Sequence, residues 1–189
     1  YTATVTATDA DGNTGIISGT VVIDTTAPAA PLINVCSGSQ ITGTAEAGAI
    51  VNVDIDGDGN ADFTVTADIN GEWTITPDTP LVHGVIITVT ATDAAGNISN
   101  PALDTVDAVA PTVDFNDLTT NDTTPALTGS VDDPTAIVVV TINGIDYTAT
   151  NNGDGSWTLA DDAVASLADG SYTATVTATD ADGNTGIIS

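Results

Sequence analysis

The chain lacks lysine and arginine altogether, while 26 of its 189 residues are acidic, for a formal net charge of −26. Without side-chain cations it has nothing to neutralise phosphates, which excludes nucleic acid as a partner. Cys36 is the single cysteine, so no intrachain disulfide can stiffen the fold. With only one histidine beside it, zinc has almost nothing to bind. Aromatic residues are scarce at 4%, and the two tryptophans fall at strand positions read as core anchors. Carboxylate pairs alone do not make a glycosidase, which also needs a cleft with one raised pKa and usually aromatic sugar platforms. The expectation is therefore a protein that is not an enzyme. No apolar run is long enough to span a bilayer, and no signal peptide opens the chain. That reads as a soluble segment without direct membrane insertion, its export signal lying outside it.

What remains is rich in Thr, Val, Ile, Ala, Gly, Asp and Asn, a composition of strands and turns. Hydrophobic residues make up 41%, too many and too regularly spaced for disorder. Twenty-six like charges oppose compaction unless salt screens them or cations bind. The missing positive charge has to come from solution. The acids are read as cation ligands first and as a solvated coat second.

The chain is a repeat array. Residues 1–18 and 172–189 share the same eighteen letters, YTATVTATDADGNTGIIS, and VTATDAAGN at 89–97 is a weaker copy. The VTATDA copies start at residues 5, 89 and 176, that is 84 and then 87 residues apart. Asp24-Thr25-Thr26-Ala27-Pro28 corresponds to Asp107-Ala108-Val109-Ala110-Pro111, Ile41-Thr42-Gly43 to Leu127-Thr128-Gly129, and Trp73 to Trp157. Modules of about 85 residues, paired in a two-module super-repeat, account for this spacing.

Period-two alternation marks strands: Tyr172, Ala174, Val176 and Ala178 against Thr173 to Thr179, and likewise Val85 to Ala91 and Ala49 to Ile55. Asn143-Gly144 and Asn70-Gly71 are read as hairpin turns, and Val164–Asp169 as one helical turn. Seven short strands in under ninety residues predict an all-β chain of tandem immunoglobulin-like sandwiches in an extended rod. The Pro-bearing junctions set the expected boundaries. Residues 1–26 are the last hairpin of a preceding module, 27–109 a complete module, and 110–189 a module cut within its last strand. Two strands make no stable core, so the first hairpin packs on its neighbour, frays, or completes a module of another copy.

If strands alternate up and down, three loops of each module face the preceding linker. At the first junction these loops carry Glu46, Asp68 with Glu72, and Asp93 with Asn97, with Asp24 on the linker. At the second they carry Asp132 and Asp133, Asn152 with Asp154, and Asp180 with Asn184, with Asp107 on the linker. Hard oxygen donors from several irregular loops suit Ca²⁺, which accepts six to eight oxygens, better than Mg²⁺ with its strict octahedron. A separate motif, Asp54-x-Asp56-x-Asp58-Gly59-Asn60-x-Asp62, aims alternate acids inward around a cation, Gly59 allowing the tight turn. It lacks the glutamate of an EF-hand, having Val65 there, and is similar to the calcium hairpin loops of integrin-type propellers. Its strand path places it beside Asp104 and Asp107. Plain turn formation is the competing reading of each single acid. His83 is read as a surface or turn residue, and Cys36 as a small core residue.

The linker D-T-T-A-P at 24–28, the run I-T-G-T-A-E-A-G-A-I-V at 41–51 and T-A-T-D-A-A-G-N at 90–97 resemble the bacterial Ig-like repeats of giant repeats-in-toxin (RTX) surface adhesins. The resemblance implies an extracellular, cell-surface location reached by type I secretion. It also implies Ca²⁺ at the junctions, held by Asp24, Glu46 and Asp93 and by Asp107, Asp132 and Asp180. The implied partners are neighbouring repeats of the same polypeptide, and other regions of the parent protein bind the adhesive target. The leading expectation is a calcium-stiffened spacer in cell adhesion and biofilms. The alternative is direct binding of carbohydrate or ice, for which the Thr-x-Thr rows at Thr2–Thr8 and Thr173–Thr179 are the motive.

Overall fold

The computed structural model describes residues 1–189 and consists of sixteen strands with no helix. Strands β1 (Thr2–Thr8) and β2 (Thr14–Thr20) form a separate two-stranded hairpin. The first sandwich has one sheet of β3 (Leu32–Cys36), β4 (Ile41–Thr44) and β7 (Glu72–Ile75). Its other sheet holds β5 (Ile50–Asp54), β6 (Phe63–Thr66), β8 (Ile86–Thr92) and β9 (Ala102–Thr105) in the order β6-β5-β8-β9. The second unit comprises β10 (Val113–Phe115), β11 (Leu127–Val131), β12 (Ile137–Ile142), β13 (Ile145–Asn151), β14 (Ser156–Leu159), β15 (Ala174–Thr179) and β16 (Thr185–Ile188). Its strands form one continuous ribbon because β13 pairs with β12 through Ile145–Ala149 and then with β14 through Thr150 and Asn151.

The alternating pattern explains the two cores. Val51 and Val53 face Ala91 and Val89 across the β5–β8 ladder, and all four are fully buried. Val138 and Val140 face Ala178 and Val176 across β12–β15 in the same way. Each tryptophan pairs with a glycine, Trp73 with Gly43 and Trp157 with Gly129, because the indole lies against that backbone. A methyl at either glycine would run into its tryptophan ring and a neighbouring carbonyl. Trp157 Nε1 donates to the Asp114 carbonyl at 2.9 Å, whereas the equally buried Trp73 Nε1 has no partner.

Asn143 and Gly144 both adopt positive φ (52° and 74°) and close the two-residue β12–β13 hairpin as expected. Two expectations are corrected. The turn at Asn70-Gly71 is tight, with Asp68 and Glu72 bonded across it, but it joins strands of different sheets rather than a paired hairpin. Residues 164–169 form no helical turn; Val164 is a core residue on an extended loop, which the Leu167 N–H ties to the Thr123 carbonyl.

Candidate metal centres

The β5–β6 loop is the most compact group of acids. One carboxylate oxygen each from Asp54, Asp56 and Asp58 lies within 4.8 Å of the others. Opposite oxygens around Ca²⁺ stand about 4.6–5.2 Å apart, so the three fit inside one coordination sphere. The loop is preformed by its own backbone. Asp54 accepts the N–H groups of Asp56, Gly57 and Gly59 at 3.2, 2.7 and 2.9 Å, and Gly57 and Gly59 take φ of +76° and +84°. Asn60 donates its side-chain amide to Asp58 at 3.0 Å, which together with the Asn60 N–H holds the Asp58 carboxyl below its ordinary pKa. Asp62 closes the loop by accepting the Ile55 N–H at 2.9 Å. Asp54 and Asp104 lie at the same end of the sheet, since β8 pairs Thr88 with the one and Ile87 with the other. Asp104 itself accepts the Thr105 N–H.

The repeated Asp-Ala-x-Gly-Asn loops share one construction. Asp9, Asp93 and Asp180 each accept the backbone N–H groups two and four residues on, and the side-chain amide of Asn13, Asn97 or Asn184. The amide of the asparagine is the largest cause of the lowered pKa at Asp9 and Asp93. In the second and third of these loops that amide also reaches the linker. Asn97 Nδ2 donates to the Asp24 carbonyl at 3.2 Å, and Asn184 Nδ2 to the Asp107 carbonyl at 3.1 Å. These asparagines thus clamp loop to linker directly.

At the second junction Asp107, Asp132, Asp133 and Asp180 line one open cleft of ≈ 380 Å³ together with His83, over linker residues Val109, Ala110 and Pro111. Asp132 accepts the Thr112 N–H at 2.7 Å, the first cause of its lowered pKa, and Asp133 accepts the N–H and hydroxyl of Thr135. Asp107 accepts the Val109 N–H and lies 3.2 Å from His83 Nδ1. The four acids share the cleft, but only the Asp54 group brings three carboxylates within 4.8 Å. Asn152 and Asp154 stay outside, bonded to Ser156 and Thr158. At the first junction Asp24 accepts the Thr26 N–H and Asp68 those of Asn70 and Glu72, while Glu46 stands on the β4–β5 loop.

The junction role of two residues escaped the sequence reading, although His83 is the exposed turn residue expected. His83 sits on a loop far from the linker in sequence, and nothing in its surroundings marks it. Asp182, between Asp180 and Asn184, accepts the Cys36 N–H at 2.7 Å across the junction. Its counterpart at the other junction is Ala95, so a search for repeated acids passes over it.

Two family descriptions match the chain: "Bacterial Ig domain" over residues 27–108 and "Bacterial Ig-like domain" over residues 107–188. No curated protein matches. Among solved structures, the chicken CNTN1 FN1-FN3 domains align over 97% of this chain and 75% of that one, with 15% identity and a TM-score of 0.55, a likeness of fold. A tetra-tandem repeat in the extending region of a large adhesion protein aligns over 99% of this chain at 27% identity, with a TM-score of 0.40. A Ca²⁺-stabilized adhesin with which an Antarctic bacterium binds ice aligns over 99% at 28% identity, with a TM-score of 0.29. The chain spans 54% of the length of each of these two.

Proposed function

We propose that this chain, which belongs through both of its modules to the bacterial Ig-like domains, is a spacer in a secreted bacterial surface adhesin, stiffened by Ca²⁺ between modules. The observation that carries this reading is the acidic cleft at the second junction. Four carboxylates from the linker and two loops face one another there with no lysine or arginine anywhere in the chain. Paired with a divalent cation, mutual repulsion becomes a crosslink between linker and module. The donors are oxygens apart from His83, the chemistry that Ca²⁺ takes in irregular loop cages. Asp107, Asp132, Asp133 and Asp180, with Asn184 beside them, are the proposed ligands there. Asp24, Glu46, Asp68, Asp93 and Asn97 are their counterparts at the first junction. Asp54, Asp56 and Asp58, braced by Asn60 and Asp62, are proposed to hold a further ion near Asp104. Millimolar calcium outside the cell would make the stiffness conditional on export.

On this reading residues 27–109 and 110–189 are consecutive modules, and 1–26 is the closing hairpin of a preceding one. Glycine packing supports the last point. Gly186 in β16 abuts the Pro111 carbonyl so closely that no methyl fits, whereas Gly15, its counterpart in the identical segment, meets nothing within 4 Å. The Thr-x-Thr rows of β1 and β15 lie in separate sheets, so no single flat ladder favours ice binding.

Calorimetric titration of the 189-residue chain with Ca²⁺ tests the reading. The expected result is saturable uptake that weakens at least tenfold when Asp132 and Asp180 are both changed to Asn, and that loses a separate site in Asp56→Asn. Absence of uptake up to millimolar Ca²⁺ would contradict it.

A further inference from the structure

We infer that Asp182 is a metal-independent latch between the two modules, its carboxylate crossing the junction to receive the backbone N–H of Cys36. Cys36 closes β3, an edge strand of its sheet, and is only 1% exposed. Its carbonyl accepts the Asp107 N–H at 2.8 Å, so its N–H points to the same side, away from β4. On that side the N–H meets Asp182 Oδ1 at 2.7 Å. A buried backbone donor is rarely left unpaired, and this one is satisfied only from the other module.

The latch is mounted on a braced loop. Asp180 accepts the N–H groups of Asp182 and Asn184 at 2.9 and 2.8 Å, and Asn184 holds the Asp107 carbonyl at 3.1 Å. Linker, first sandwich and second sandwich therefore meet through direct hydrogen bonds that include Asp182 with the Cys36 N–H, Asn184 with the Asp107 carbonyl, and the Asp107 N–H with the Cys36 carbonyl. Asp182 stands outside the acidic cleft, so a cation drawn into the cleft leaves this contact in place. The other junction cannot copy it. Its loop has Ala95 at the latch position and keeps only the Asn97 clamp on Asp24. The loop between β1 and β2 again has an acid, Asp11, at that place. Latched and unlatched junctions thus alternate with the super-repeat, and an array of them would bend at every second joint once calcium is withdrawn.

Amide hydrogen exchange of the 189-residue chain, read residue by residue by NMR in EDTA, tests the latch apart from any calcium effect. Wild type should protect the Cys36 amide. Asp182→Ala should speed its exchange at least tenfold, while Asp182→Asn, which keeps an acceptor oxygen, should stay within about twofold of wild type. The amides of Val140 and Val176, deep in the second core, report in the same spectra that the fold is retained. An unprotected Cys36 amide in wild type, or equal exchange in wild type and Asp182→Ala, would overturn the proposal. Equal loss in both variants would overturn it as well.

Discussion

Individual acids in this chain do two jobs whose chemistry is separable. Asp93 and Asp180 staple their own loops through backbone N–H groups and an asparagine amide, and under the proposed function they would also help a cation bridge modules. The first job sets a pH dependence. The Asn97 amide holds Asp93, and the Thr112 N–H holds Asp132, below the ordinary carboxylate range. A depressed folded-state pKa stabilises the fold above the unfolded value, and that contribution disappears as pH falls through the lowered folded value. Melting temperature in EDTA should therefore be flat near neutrality and fall below about pH 4. Asp93→Asn should flatten part of that fall, since the amide cannot titrate. A second residue-scale prediction uses the duplicated sequence. Gly186→Ala drives a methyl into the Pro111 carbonyl and should destabilise the second module by about 1–3 kcal/mol. Gly15→Ala, in the same local sequence, should leave denaturant unfolding of both modules unchanged.

At the scale of elements, the same eighteen residues meet two fates. In β15–β16 they bury Val176 completely against β12; in β1–β2 the matching Val5 is 63% exposed. A two-stranded hairpin is marginal alone. Residues 1–20 should accordingly exchange their amides at least tenfold faster than 172–188, measured by hydrogen-exchange mass spectrometry, and limited proteolysis should remove the hairpin first. The comparison also shows what was legible. Strand identity and the inward rows follow from alternation, because side chains on a strand face opposite sides in turn. Trp73 and Trp157 were legible as core anchors because they fall at equivalent strand positions of the two modules, while the glycines they pack on emerged only from the strand pairing. The Asp54 loop was visible because its acids are neighbours in sequence. The β6–β7 crossover was not, since a tight Asn-Gly turn has the same local signature whether the strands it joins pair or part. The 164–169 segment was read as a helical turn, but tertiary burial of Val164 overrides weak local preference. Asp182 was invisible because its partner is a backbone N–H 146 residues away, which no side-chain pattern records.

For the whole molecule the deciding quantity is charge. At −26 with no lysine or arginine, the modules repel one another, and only direct hydrogen bonds resist bending without metal. One Ca²⁺ present at a hundredfold excess over its dissociation constant stabilises the folded state by about 2.7 kcal/mol. In a module of this size that corresponds to roughly 10–20 °C in melting temperature. Salt alone screens without crosslinking, so sodium chloride should recover little of the stiffness. The most direct measurement is small-angle X-ray scattering of the 189-residue chain with paired melting curves, in millimolar Ca²⁺ and in EDTA at the same ionic strength. The account predicts an extended, narrowly distributed rod in calcium and, in EDTA, a fall in melting temperature with a broader distribution of shapes that arises at the unlatched first junction, where only the Asn97 clamp remains. Superimposable scattering profiles and unchanged melting in the two conditions would contradict it.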